Sequence, residues 1–308
     1  MFKSYLYNYN IYLIKKCIYL FIISLSVIYI FKISKNPQTK VCICTIGKNE
    51  NKYAREFVEY YKKLGVNKIF VYDNNNIDGE HFETILYDYI NEGYVKINNK
   101  YRGKTQIQYP IFNHCYKENN HLYDWLIYYD FDEFIHLSNY SSIKNYLGDN
   151  RFKKCNVVYL AQIMHTDNDQ IYYSNKSLFK RFPNFTLNFT RKIGITKIIV
   201  RGNLQNINFT NAHVLINKNQ CNSFGNKTKL KYEDLYNDYF FYHHFYFKST
   251  EEYYNKLERG GVTSGKKAFI PKLFDFYFSL NRITKEKIDY IENRSGLILT
   301  RFRLKLNE

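Results

Sequence analysis

The sequence predicts an α/β protein organised around a mostly parallel sheet. Three observations carry this: short apolar runs alternate with amphipathic stretches from Val41 to Tyr129, turn residues mark each junction, and polar clusters follow successive apolar runs. Val41–Ile46 (VCICTI) has the length and apolar content of a buried strand. Tyr53–Leu64 follows with Phe57, Tyr60, Tyr61 and Leu64 at helical spacing and Gly65 as the stop. Lys68–Tyr72 (KIFVY) is a second strand, ended by the turn cluster from Asp73 to Gly79. His81–Ile90 is helical and is closed by Gly93, Tyr94–Ile97 is a third strand, and Gln106–Asn119 is a further helix. Trp125–Tyr129 then runs apolar into Asp130-Phe131-Asp132-Glu133. Beyond residue 150 the periodicity weakens. Asn156–Ile163 and Lys197–Val200 read as strands, Glu251–Arg259 as a helix ending at Gly260-Gly261, and Thr284–Leu304 as one basic helix.

The 308-residue chain is 45% hydrophobic and 19% aromatic, enough to build a core and to exclude a disordered chain. Its net charge of +17 is localised. Residues 1–40 hold six lysines and no acid, and between Asp169 and Glu233 stand eleven Lys or Arg, again with no acid. Such a block is either a solvated face or an attractor of anions: a nucleotide diphosphate, an acidic glycan or nucleic acid. The six cysteines show no metal-ligand spacing; Cys42 and Cys44 read as small hydrophobes of a strand, a disulfide framework is not expected in so large a chain, and a Cys155–Cys221 pair stays open.

Cys17–Phe31 is an uncharged apolar run. Extended to Ile11–Ile33, with Lys15, Lys16 and Lys32 at its edges, it reaches the thickness of a hydrocarbon core of about 30 Å. The SKNPQTK that follows is a poor cleavage site, so one N-terminal transmembrane signal anchor is expected over about 11–33, within a tail of 1–35. Lysines on both sides leave its orientation open. A catalytic domain over 36–270 and a basic helical extension over 271–308 complete the expected organisation.

In parallel sheets ligands bind beyond the carboxyl ends of strands. Three polar clusters are expected there: Lys48-Asn49-Glu50, Asp73-Asn74-Asn75 and Asp130-Phe131-Asp132. On an extended segment Asp130 and Asp132 would share a face while Phe131 packs inward. Two hard oxygen ligands on one face suit Mn²⁺ or Mg²⁺ bridging a diphosphate.

The stretch VCICTIGKNENKYAREFVEYYKKLGVNKIFVYDNNNIDG resembles the opening of glycosyltransferases of family 92 and the related family 2 branch. QYPIFNHCYKENNHLYDWLIYYDFDEFI is similar to their next segment, which ends in an acidic metal motif. DNDQIYYSNKSLFKRF, TKIIVRGN, AHV and HHFYFKSTEEYYNKLERGG resemble their later blocks, so the resemblance covers about residues 41–262. It implies a GT-A-like nucleotide-sugar domain and an inverting, metal-dependent transfer of a hexose, such as galactose, from a UDP- or GDP-sugar to a glycan or glycoconjugate hydroxyl. Residue by residue, it places Asn49, Glu50, Asp73, Asn74 and Gln108 at the nucleotide, and Lys197, Arg201 and Lys248 at the diphosphate. Asp130 and Asp132 would hold the metal, oriented by Glu133. His244 would complete the metal sphere, with His243 as the alternative. Asp167 or Asp169 would be the base. His165-Thr166 and Phe245 depart from the family pattern.

Two other readings stand beside this one. A membrane-tethered polyanion- or nucleic-acid-binding protein would use the 170–232 basic block, although no nucleic-acid-binding motif is present and no nucleic acid is expected as a partner of the enzyme. An inactive glycosyltransferase-like scaffold is the other. Sequons at Asn139, Asn175, Asn184, Asn188, Asn208, Asn226 and Asn293 fit a type II protein with a lumenal, Golgi-like catalytic domain; in a bacterium the domain would face the cytoplasm.

Overall fold

A computed structural model of the chain describes residues 38–186, 196–217, 219–260 and 272–306, together with Lys16, Ile18, Tyr19 and Phe21. The expected membrane anchor lies almost wholly outside these residues; among them no helix is long and apolar enough to cross a membrane. Thr39–Glu308 forms a compact unit of its own, and the elements below belong to it.

The alternation read from the sequence is present: β1 (Val41–Gly47), α1 (Asn51–Lys63), β2 (Lys68–Asp73), α2 (Phe82–Asn91), β3 (Val95–Asn98), α3 (Gln108–Asn119) and β4 (Trp125–Tyr128). Then come β5 (Glu133–Leu137), α4 (Ile143–Leu147), β6 (Val157–His165), α5 (Leu178–Arg181), β7 (Phe185–Thr186), β8 (Thr196–Arg201), β9 (Gln220–Cys221) and α6 (Tyr232–Leu235). The described chain ends with β10 (Phe240–His244), α7 (Thr250–Arg259), α8 (Leu273–Leu280), α9 (Lys285–Ser295) and α10 (Thr300–Leu304). The single helix expected over 284–304 is two, because Gly296 turns the chain at φ +69° and ends α9.

The main strand order is β3-β2-β1-β4-β8-β6-β10-β5. Strands β3, β2, β1 and β4 are parallel, as expected. The sheet as a whole is mixed: β8 runs antiparallel to both β4 and β6, and β5 runs antiparallel to β10. The reversal of β5 follows from its short link to β4, which leaves no room for a crossover. That link is a turn in which Glu133 N–H donates to Asp130 C=O at 3.0 Å, and such a turn holds its ends within about 7 Å. Four strand spacings in a flat sheet would separate β4 from β5 by about 19 Å. The sheet therefore curls, and the acidic turn joins its two distant strands β4 and β5.

Alternation along β1 sends Val41 and Ile43 into one core and Cys42, Cys44 and Ile46 into another, on the opposite face. A third core joins Phe247, Tyr253 and Tyr254 to Phe274, Tyr277, Phe278, Ile288, Ile291, Leu299 and Phe302. Contrary to the reading of Cys44 as a mere hydrophobe, it is bonded to Cys115, which ties β1 to α3. Cys155 is bonded to Cys221, and Cys42 is free and buried.

Candidate metal and donor site

The acidic turn is fixed from both sides. Phe131 is buried against Phe57 and Phe82, at ring separations of 5.0 and 5.1 Å. Gly47 permits this approach, since a Cβ there would stand 2.2 Å from the Phe82 ring and 2.7 Å from that of Phe131. The main chain at Asp130–Glu133 is a turn rather than an extended strand, so the two aspartates do not share a face. Asp130 reaches Lys197 Nζ at 2.6 Å, whereas Asp132 reaches Lys248 Nζ at 2.7 Å and Lys256 Nζ at 3.4 Å. Glu133 Oε2 accepts from Asp130 N–H at 2.9 Å and pairs with Lys197 at 3.1 Å.

A divalent cation would find its ligands in Asp132, Glu133 and His244, whose ligand atoms lie within 4.8 Å of one another. Asp130, expected in that set, stands beside it and pairs with Lys197. His244 is placed by the register of β10, where it faces Glu133 on β5 and Met164 on β6. Its Nδ1 stands 2.9 Å from Gln162 Oε1; donating there leaves Nε2 with its lone pair, 3.7 Å from Asp132 and 3.6 Å from Glu133. Burial holds the imidazole well below its usual range, so it is neutral and able to ligate. Glu133 Oε1 is buried with no hydrogen-bond partner, an oxygen suited to ligate a cation. Burial, with Asp130 and Asp132 beside it, pushes the Glu133 carboxyl up to about 8 against the pull of Lys197. Burial would raise Asp132 as well, but Lys248 and Lys256 hold it well below the usual carboxylate range. Two carboxylates and one imidazole fit Mn²⁺ or Mg²⁺ with room for donor oxygens.

Beside this cluster opens a cavity of about 570 Å³. Asn49, Glu50 and Lys248 line it, as the sequence anticipates, and so do Lys48, Lys52, Lys256 and Arg259. Much of this lining comes from α7 and the residue before its cap. Ser249 and Glu252 form a capping box at the helix start. Glu252, Lys256 and Arg259, at i, i+4 and i+7, share one face. Arg259 donates to Lys48 C=O, to Asn49 C=O at 3.2 Å and to Glu50, clamping the loop after β1. Glu252 accepts from Arg181 at 3.0 Å, from Ser249 Oγ at 2.6 Å and from Tyr53. Sequence reasoning missed Lys256, Arg259 and the Arg181–Glu252 pair, although the E-x₃-K-x₂-R spacing was there to be read.

Other expected site residues are committed elsewhere. Asp73 is buried, pairs with Arg102 and accepts from Asn75 N–H at 2.7 Å. Asn74 donates to Tyr101 C=O and Lys104 C=O at 2.9 and 2.8 Å. Both organise the loops around the cavity without lining it. Gln108 opens α3 half-buried, also outside the lining. Arg201 is at the wrong end of its strand: β8 opposes β4, so Lys197 comes near the acidic turn while Arg201 faces Trp125. There it stacks at 4.2 Å from the Trp125 ring and donates to Cys155 C=O at 2.6 Å. Asp167 is buried against Lys287 at 2.7 Å, with Tyr277 donating to the same carboxylate. Asp169 meets Lys287 at 2.8 Å and Arg282 at 3.1 Å. These acids anchor the C-terminal helices, and an acid held by a buried ammonium is not free to take a proton. His243 points away from the metal cluster, 2.9 Å from His165, which stacks on Phe245 at 4.1 Å.

The family model for glycosyltransferase family 92 matches residues 38–260, more than two thirds of the chain. The chain belongs to glycosyltransferase family 92. Among its relatives, a family 92 protein of Ricinus communis is 31% identical over 98 residues, covering 32% of this chain and 17% of the relative. One from Oryza sativa is 28% identical over 107 residues, covering 35% and 18%. The alignments thus span about a sixth of these relatives' lengths. Among solved structures, Staphylococcus aureus TarS 1–349 with UDP-GlcNAc superposes with a TM-score of 0.39 at 15% identity, over 86% of this chain and 69% of that one. The mannosyltransferase PcManGT of Pyrobaculum calidifontis, in complex with GDP-Man and Mn²⁺, gives 0.31 at 9%, over 41% and 36%. The family 92 match contains the acidic turn, His244 and all of α7, so the candidate metal cluster and its lysines are part of the family domain.

Proposed function

We propose that this glycosyltransferase moves a hexose, with galactose as the first candidate, from a UDP- or GDP-sugar to a hydroxyl of a glycan or glycoconjugate, with inversion and with Mn²⁺ or Mg²⁺. The observation that carries the reading is the cluster of Asp132, Glu133 and His244, whose Asp132 pairs with Lys248 and Lys256, two of the five Lys or Arg side chains that, with Lys48, Lys52 and Arg259, line a cavity of about 570 Å³. A bound divalent ion would supply Lewis-acid stabilisation of the departing nucleoside diphosphate. The chain's own cations add to this, because charge builds on the leaving group as the bond to the anomeric carbon breaks. Asn49 and Glu50, held by Arg259, form the wall nearest the nucleotide. With Asp167 and Asp169 engaged by the C-terminal helices, Glu50 by Arg259 and Glu252 by Arg181, the base that takes the acceptor proton is sought among the other carboxylates lining the cavity, Glu80 and Glu258.

Of the basic block, Arg181, Lys197 and Arg201 turn inward to ion pairs, carbonyls and rings, while Lys176, Lys180, Lys227, Lys229 and Lys231 are exposed; the polyanion reading leaves the Asp132, Glu133 and His244 cluster without a role. A lumenal placement is supported by the two disulfides and by six exposed sequon asparagines: Asn139, Asn175, Asn184, Asn208, Asn226 and Asn293. The test is donor turnover by the full chain, screened over UDP- and GDP-sugars with Mn²⁺ and with EDTA. Metal-dependent release of nucleotide from one donor supports the reading. A folded sample that neither binds nucleotide nor turns over any donor refutes it.

A further inference from the structure

Each carboxylate around the metal cluster already has an ammonium partner. Lys197 serves Asp130 at 2.6 Å and Glu133 at 3.1 Å and is 1% exposed, a fixed part of the floor. Asp132 is different: two lysines, Lys248 at 2.7 Å and Lys256 at 3.4 Å, converge on its Oδ2 alone. A divalent ion that takes Asp132 must displace at least one of them or bind beside two positive charges. Both lysines also line the cavity in which the donor diphosphate would lie. We propose that Lys248 and Lys256 are exchangeable counterions: they neutralise Asp132 before the donor binds and pass to its diphosphate when the metal takes the carboxylate. Metal and nucleotide then bind as a coupled pair. This inference rests on the metal-dependent transferase reading above.

The two lysines are held in ways that suit the exchange. Lys248 adopts φ +57°, a left-handed backbone conformation unusual for a residue with a side chain. It is kept there by the capping box that begins at Ser249 and by the Tyr53 ring, whose centroid is 4.5 Å from Nζ. Lys256 leaves the face of α7, with Nζ 3.7 Å from the centroid of the Tyr246 ring and 3.2 Å from Tyr246 C=O. Its side chain is 24% exposed, against 4% for Lys248. Its flexible stem allows the ammonium to swing from Asp132 to a phosphate oxygen without moving the helix. Lys256 is thus the more mobile counterion and Lys248 the more fixed one. Without a nucleotide, a metal ion competes with both; with one, both lysines gain a better anion to serve.

The experiment measures Mn²⁺ binding to the full chain in detergent by the EPR signal of free Mn²⁺, with and without UDP, in wild type, Lys256→Met and Asp132→Asn. Thermal melting confirms that each variant is folded. In wild type, UDP is expected to tighten Mn²⁺ binding by about tenfold or more, within the usual span of coupled sites. Lys256→Met keeps the stem but removes the competing charge. It is expected to bind Mn²⁺ several-fold tighter than wild type without UDP, and to lose most of the tightening UDP brings. Lys248→Met gives the same direction in a second variant. If Lys256→Met and Lys248→Met both bind Mn²⁺ no tighter than wild type, while Asp132→Asn abolishes binding, the counterion role is wrong and the metal site stands. If wild type binds no Mn²⁺ even with UDP, the metal-dependent reading itself fails, and this inference with it.

Discussion

Removing the charge of Glu252 is expected to unfold this domain more readily than almost any other single-atom change. Glu252 is 1% exposed at its side chain and meets Arg181, itself 1% exposed, through both carboxylate oxygens. Ser249 and Tyr53 donate to it as well. Burial alone would raise its pKa, but these partners win and hold it at about 2, against the usual 4.5. Breaking a buried pair by removing one charge costs about 3–5 kcal/mol, and the depressed pKa points the same way, towards stabilisation of the charged form on folding. Glu252→Gln keeps the shape but strands the Arg181 guanidinium in the core. The expected loss is about 3 kcal/mol at pH 7, or a fall in Tm of about 6–12 °C for a unit of this size. The sign in pH follows. Because the folded pKa is depressed, the contribution is complete above about pH 4.5 and is lost as pH falls towards 2. The gap between wild type and Glu252→Gln in urea denaturation should therefore stay constant from pH 7 to 5 and close below 4.5. A cost under about 1 kcal/mol at pH 7, or a gap that does not change with acid, would refute the reasoning.

Other consequences follow from the same network. Burial pushes His165 down to about 4 and His243 down to about 3 from the usual 6.5, so the unfolded chain takes up protons first and stability falls as pH drops from about 6.5. Replacing His165 with Asn should flatten that part of the curve in denaturation midpoints measured across pH 7 to 4.5, and an unchanged slope would contradict it. The Cys155–Cys221 bond closes a separation of 66 residues, for which chain entropy gives roughly 4 kcal/mol. Cys155→Ser should lower Tm under non-reducing conditions, and its gap to wild type should close once both proteins are reduced. Arg259→Met should free the loop of Lys48–Glu50 and raise KM for the nucleotide-sugar about tenfold with a smaller change in kcat, the pattern of lost ground-state binding. A fall in kcat with KM unchanged would instead place Arg259 on the transition state. Lys287→Met should unseat the C-terminal helices, seen as faster amide exchange through 272–306, while leaving Mn²⁺ binding intact.

The first half of the fold was legible because each element there is local: strand and helix periods, Gly65, Gly93 and the Asn-rich turn all act within a few residues. Motif order picked out the acidic turn, Asn49, Glu50, Lys197, Lys248 and His244 as candidates; in the structure Lys197 meets Asp130 and Glu133, Lys248 meets Asp132, His244 stands near Asp132 and Glu133, and Asn49, Glu50 and Lys248 line one cavity. What could not be read is non-local. Whether β8 lies parallel or antiparallel to β4 decides that Lys197 meets Asp130 while Arg201, a few residues on, lies at the other end of the strand. No local pattern carries that choice. Asp167 and Asp169 looked like free loop acids because their partners, Tyr277, Arg282 and Lys287, lie more than a hundred residues away. Cys44 found Cys115 for the same reason. Only the α7 stripe of Glu252, Lys256 and Arg259 was present at readable spacing and overlooked.

The measurement that bears most directly on the central claim is nucleotide release from UDP- and GDP-sugars by the full chain, run with Mn²⁺, with EDTA, and with Asp132→Asn. Coordination by Asp132, Glu133 and His244 predicts turnover of one donor that needs the metal and falls at least a hundredfold in Asp132→Asn, with melting behaviour preserved. Turnover undiminished in Asp132→Asn would contradict the account.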